Sequence, residues 1–258
     1  NRRRHPDRTD RPAFADPHAL HAPAMNARTE RRHVAGLAGR MEVAIDWPDT
    51  ERFAAPRGTA FIGHPHPLYG GTLDNKVAAT LARAFVAVGW IALRPNFRGV
   101  GASEGAHDRG EGETADFLHL IAHAREWLAE RAPPADAPRA LAGFSFGSVV
   151  AARAARTLAA QHQPVRHLVL VGTAAGKWPV PEVRRDTLVI HGEQDETIPL
   201  ADVLDWARPQ ELPVVVLPGA DHFFHRRLGP LKQWVIQHVL AAAVIDAARD
   251  VDANASDG

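Results

Sequence analysis

Between residues 40 and 248 the chain alternates short apolar runs with stretches in which apolar residues return every three or four positions. Met41, Val43 and Ile45 alternate with Arg40, Glu42 and Asp46, the period of a half-buried strand at the edge of a sheet. Thr59 to Gly63 is apolar throughout, as a central strand covered on both faces must be. Val77, Leu81, Phe85 and Val88 fall on one face of a helix over residues 74–88, and Gly89 stops it. Trp90 to Arg94 is the next strand; Phe117, Leu120, Ile121, Ala124 and Leu128 then mark a helix that Pro133 and Pro134 terminate. A short strand, Ala140 to Ala142, leads into an Ala/Val-rich helix reaching Ala160. Val165 to Val171, Thr187 to His191 and Pro213 to Leu217 are further buried strands, and Leu231 to Ala248 is a closing helix. This alternation predicts an α/β fold: a mostly parallel, twisted sheet with helices on both faces.

The ends lack such a pattern. Residues 1–24 are rich in Arg, His, Pro and Asp and are expected to be disordered, because they cannot bury enough apolar surface to offset chain entropy. Met25 precedes the first patterned segment and is the expected natural start, with residues 25–249 forming a single domain and 250–258 a polar tail. A basic arm that binds nucleic acid is the alternative reading of the first 24 residues. The whole chain argues against it: thirty basic and thirty acidic residues cancel, so no overall field favours nucleic acid or an anionic membrane. No cysteine is present, which removes disulfides, thiolate metal sites and a cysteine nucleophile. With no apolar run near the roughly 20 residues of a membrane span, a cytoplasmic protein acting on a small molecule is expected. Its oligomeric state stays open.

The chemistry gathers where strands end, which is where open α/β sheets bind ligands. Gly143-Phe144-Ser145-Phe146-Gly147, between a strand and a helix, has the spacing of a nucleophile elbow, a turn so tight that glycine is needed two residues before and after the serine. The N–H of Phe146, on the first turn of the helix, is then a candidate oxyanion donor. Asp195 follows the strand ending at His191, and His222 follows the strand ending at Leu217. Serine, acid and histidine in that order are what acyl transfer requires: Ser145 is a poor nucleophile until the imidazole of His222 accepts its proton, and Asp195 would orient that imidazole. His225 competes with His222 as the base, but it lies beyond Phe223 and Phe224, which are expected to anchor the last helix, and beside Arg226 and Arg227. Asp221 adjoins His222 and points away from it on an extended loop.

Five motifs resemble those of the small lidless serine hydrolases of the α/β-hydrolase superfamily. They are His64 to Gly71 with Asp74-Asn75-Lys76, the loop Asn96 to Gly105, the Gly143 to Gly147 elbow, His191 to Asp195, and Gly219 to Phe224. The resemblance runs from Val34 to Ala248 and implies a sheet of about eight strands, no cap domain, no cofactor, and hydrolysis of a carboxylic ester, with thioester and small amide as alternatives. It implies a second oxyanion donor in the loop after Thr59 to Gly63. Pro65 and Pro67 have no N–H, so the donor is His66 or Leu68, and position favours His66. The segment Gly112 to Asp116 departs from the family's tighter helix start. Arg98 is expected to brace its loop rather than bind an acidic substrate, and Tyr69 to line the pocket or pack as an aromatic. The glycine-rich Asn96 to Gly105 loop is not a phosphate cradle, since no helix or Gly-Lys-Ser/Thr follows it.

Only Gly172 to Asp186 fills the interval in which lids of this superfamily are inserted, so an open, shallow site without a helical cap is expected. Two other readings compete with the serine mechanism: a metal-dependent hydrolase beginning at the His64/His66 pair, and a hydrolase fold kept only for binding.

Overall fold

In the computed structural model, which describes residues 29–256, the predicted strands join into one eight-stranded sheet. Its strands are β1 (Thr29–Gly36), β2 (Gly39–Asp46), β3 (Thr59–Gly63), β4 (Ile91–Pro95), β5 (Arg139–Phe144), β6 (His167–Val171), β7 (Leu188–Gly192) and β8 (Val214–Leu217). They lie in the order β1-β2-β4-β3-β5-β6-β7-β8. β1 pairs antiparallel with β2 and β2 with β4, while the six strands from β4 to β8 run parallel.

Helices cover both faces because the parallel strands are apolar on both. Phe61, Leu93, Leu141, Leu170 and Val189 face α2 (Glu111–Leu128), α3 (Phe146–Ala160) and α4 (Leu200–Ala207). Ala60, Ile62, Ala142, Val169 and Ile190 face α1 (Lys76–Ala87) and α5 (Leu228–Ser256). α1 starts where its cap dictates, the Asn75 side chain accepting from the N–H groups of Val77 and Ala78.

Three expectations are corrected. The strand over Arg40 to Asp46 is not the edge: β1 lies outside it, and only Val34 of β1 is buried. Glu30, Arg31, Arg32 and His33 give that strand no apolar period to read, and such charges are what keep an edge from recruiting another strand. The closing helix runs on to Ser256, so most of the expected polar tail is helical; Ala, Asp, Arg and Val follow one another there with no Gly or Pro before Gly258. The second helix ends at Leu128 in a 3-10 turn, Ala129–Arg131, before the prolines are reached. The expected disorder of residues 1–24, its nucleic-acid alternative and the start at Met25 lie outside the described residues. Among the described residues no helix is long and apolar enough to cross a membrane.

Candidate active site

Ser145, between β5 and α3, adopts a conformation that is rare for L residues, φ 53° and ψ −119°. The turn persists because its surroundings over-determine it. A Cβ on Gly143 would stand 2.1 Å from the carbonyl oxygen of Gly147, and one on Gly147 would stand 2.3 Å from that of Gly63. Both elbow glycines are therefore required by close backbone approach. The N–H of Ser145 donates to Val171 O on the neighbouring strand at 2.9 Å, fixing the turn to the sheet.

His222 reaches Ser145 from the loop after β8. Its Nε2 is 3.1 Å from Ser145 Oγ and its Nδ1 is 2.7 Å from Asp195 Oδ2. The other carboxylate oxygen of Asp195 accepts from the N–H groups of Thr197 at 2.9 Å and Ile198 at 2.7 Å, so the acid is held by its own turn. The acid and base loops are tied together: Gln194 N–H donates to Ala220 O at 2.9 Å, and Glu193 Oε2 accepts from Gly219 N–H at 2.8 Å. Ser145, Asp195 and His222 are all buried to 8% exposure or less. A neutral imidazole with Nδ1–H toward the carboxylate leaves Nε2 free to accept the serine proton.

His225 is elsewhere. Its Nδ1 lies 2.5 Å from Asp221 Oδ2, with its side chain 71% exposed. Asp221 is thereby turned away from the site, as expected. Phe224 is fully buried and anchors the chain, but Phe223 does not: it is 47% exposed and stands against the His222 ring with centroids 5.2 Å apart. That expectation is corrected, because Phe144 already fills the space beneath, 4.9 Å from the His222 ring.

The loop after β3 is shaped by its two histidines. His64 is fully buried; its Nε2 accepts from Phe97 N–H at 2.9 Å, so its Nδ1 carries hydrogen and donates to Pro65 O at 2.7 Å. Both nitrogens are committed to backbone, which removes the His64/His66 metal reading. Among the described residues no group of three or more His, Asp or Glu is placed to hold a metal ion. Leu68 N–H donates to His66 Nδ1 at 3.2 Å and is thereby spent. The N–H of His66 and that of Phe146, the first residue of α3, donate to no protein acceptor among the described residues. Arg98 forms a two-point pair with Asp116 at 2.8 and 2.9 Å and braces its loop as expected. The odd Gly112 to Asp116 segment is its seat: a Cβ on Gly112 would lie 2.1 Å from the guanidinium. Tyr69 is 87% exposed at the rim.

Burial holds His64 neutral by pushing its pKa down to about 4, and it pushes His167, at the start of β6, to about 3. Unfolded, each would take up a proton near 6.5, so between pH 6.5 and 4 the unfolded chain binds more protons and stability is lost as the pH is lowered. For His64 the loss amounts to about 3 kcal/mol over that window. We expect a His64→Gln variant, weaker at pH 7, to lose stability less steeply, by about 1.4 kcal/mol per pH unit, in urea titrations between pH 6.5 and 4.5. Parallel slopes for the two proteins would refute this role of His64.

Comparison with known proteins follows the same residues. A family model of a thioesterase domain matches residues 92–194, from β4 to the turn that carries Asp195. The crystal structure of a member of the α/β serine hydrolases without a lid, from Xanthomonas campestris, is 34% identical, superposes with a TM-score of 0.72, and covers 83% of this chain and 94% of that one. The chain belongs to the lidless α/β serine hydrolases. An α/β serine hydrolase homologue from Coxiella burnetii is 35% identical, with a TM-score of 0.68, over 81% of this chain and 96% of that one. A protein of Rickettsia prowazekii is 30% identical over 183 residues, 64% of this chain and 71% of its own length. As a lidless hydrolase should, the protein has no helix between β6 and β7 among the described residues.

Residues that the sequence pattern did not single out complete the site. His191, fully buried at the end of β7, has Nε2 2.9 Å from Ile198 O and 3.4 Å from Asp195 Oδ2, and so closes the acid turn from below. Trp178 and His107 approach Phe146 with ring centroids 5.0 and 5.5 Å away. His191 stood in the motif carrying Asp195 and could have been found there; Trp178 and His107 sit in irregular segments with no signal of their own.

Proposed function

We propose that the protein hydrolyses a small carboxylic ester through an acyl-enzyme on Ser145. The observation that carries this reading is the relay of 2.7 and 3.1 Å from Asp195 through His222 to Ser145. Ser145 Oγ attacks the ester carbonyl carbon while His222 Nε2 takes its proton, and the carbonyl oxygen becomes an oxyanion facing the free N–H groups of Phe146 and His66. His222 returns the proton to the departing alcohol, leaving Ser145 acylated. Water, deprotonated by the same imidazole, then releases the acid and restores the serine. Asp195 keeps the imidazole in the tautomer that can accept, and stabilises it while it carries charge.

A thioester is the second reading, and the thioesterase-domain match to residues 92–194 favours it. The two share every step except the leaving group. Turnover of matched butanoyl oxygen and sulfur esters, with fluorophosphonate labelling of the wild-type protein, tests the common mechanism and separates the leaving groups. Absence of both labelling and turnover would refute it.

The short connection between β6 and β7 supports an open site that cannot enclose a long chain. The kcat/KM for p-nitrophenyl esters should therefore fall from butanoate to palmitate, without a rise at a lipid interface. Faster cleavage of the palmitate would overturn this.

A further inference from the structure

Ser145 stands between two separate groups of rings. One surrounds the base: Phe144 and Phe223, with centroids 4.9 and 5.2 Å from that of His222. The other surrounds the His66 ring, which lies 5.0 Å from Phe146, 4.8 Å from His107 and 5.6 Å from Trp178. On the ester reading proposed above, on which this inference rests, the departing alcohol must lie by His222, because that imidazole protonates it. The acyl group is left with the second group of rings, beside the proposed oxyanion donors.

The rings of that second group are tilted against one another, by 42° between His66 and Trp178 and 68° between Phe146 and Trp178, and they carry donors. A neutral imidazole has one donor and one acceptor nitrogen, and His66 Nδ1 accepts from Leu68 N–H, so Nε2 carries the hydrogen. Burial and the neighbouring His107 hold the His66 pKa below its ordinary value and keep the ring neutral. Neither His66 Nε2–H nor the indole N–H of Trp178 meets a protein acceptor among the described residues. Beside them His107 Nδ1 lies 2.7 Å from the fully buried carboxyl group of Glu113, in an alignment too poor for a good hydrogen bond. The wall therefore offers aromatic surface and two N–H donors.

We propose that the half-buried His66 and Trp178, with the fully buried Phe146 packed behind them, form an acyl subsite for an aromatic acid whose ring carries a hydroxyl or ether oxygen. Its ring meets the Trp178 and His66 rings in offset or edge contacts, so that its oxygen can reach the in-plane N–H of either. Planar rings meet aromatic side chains in offset or edge contacts that a puckered ring of equal size cannot copy.

Methyl esters keep any ring out of the leaving group, and phenylacetates insulate the carbonyl from ring electronics. We expect kcat/KM to fall from methyl 4-hydroxyphenylacetate to methyl phenylacetate to methyl cyclohexylacetate, with about tenfold between the first and the last. In Trp178→Leu the ratio of phenylacetate to cyclohexylacetate should fall to near one. Trp178→Phe should keep that ratio and lose part of the hydroxyl preference. A wild type without the flat-ring preference, or a Trp178→Leu that retains it, overturns the subsite and leaves the ester reading standing. Should the protein cleave no ester and take no fluorophosphonate label, the ester reading fails. Calorimetric binding to the wild-type protein then decides the subsite: it stands if 4-hydroxyphenylacetate binds at least fivefold more tightly than cyclohexylacetate, and falls otherwise.

Discussion

Replacing Ser145 with alanine is expected to leave a folded protein whose esterase activity is lower by about a thousandfold or more. The side chain is small and nearly buried, and the turn holding it is fixed from outside: by the Gly143 and Gly147 backbones packed against each other, by the bond from residue 145 N–H to Val171 O, and by Ser148, whose N–H and Oγ both donate to residue 145 O. None of these uses the serine hydroxyl. Alanine in the same left-handed conformation keeps the strain and loses only the nucleophile, so melting temperature should change by no more than a few degrees. The residual rate measures what the oxyanion donors and binding contribute without covalent catalysis. Fluorophosphonate labelling should vanish with it. A variant that still labels at wild-type rate would place the nucleophile on another residue, and a wild type with no turnover at all would favour a binding role for the fold.

What could be read in advance follows physical lines. β3 was legible to its last residue because a parallel strand covered on both faces carries an unbroken apolar run, whereas β1 was invisible because its edge position admits charge at consecutive sites, Glu30 to Arg32. Ser145, Asp195 and His222 were legible since each sits in a short loop at the end of an apolar strand, where local spacing sets geometry. The aromatic wall was not, because it assembles from four segments that are far apart in sequence: His66 after β3, His107 after β4, Phe146 at the start of α3 and Trp178 after β6. What sets the N–H of Leu68 apart from that of His66 was not legible either. The competing N–H is consumed by the side chain of His66 itself, a contact over two residues that no apolar pattern records.

The two histidines after β8 separate most sharply in the effect of their removal. Gly219, at φ 64°, turns the chain back over the sheet edge, and the turn carries His222 inward to 5% exposure between Asp195 and Ser145. His222→Ala removes the group that, among the described residues, is hydrogen-bonded to the serine hydroxyl and can take its proton, and it leaves the buried Asp195 carboxylate with its Thr197 and Ile198 donors and His191 at 3.4 Å, but without its partner at 2.7 Å. Activity should fall about as far as for Ser145→Ala, roughly a thousandfold or more, and the double variant should be scarcely worse than either, since the two act as one unit. His225 is only three residues further on, but its ring is in solvent and its partner is Asp221. An exposed pair of this kind contributes at most about 1 kcal/mol to stability and touches neither Ser145 nor Asp195. His225→Ala should therefore cost less than about tenfold in kcat/KM. Burst kinetics on p-nitrophenyl butanoate, with circular dichroism to show that each variant is folded, decides the matter. If His225→Ala is inactive while His222→Ala turns over, the base has been misassigned and the relay through Asp195 goes with it.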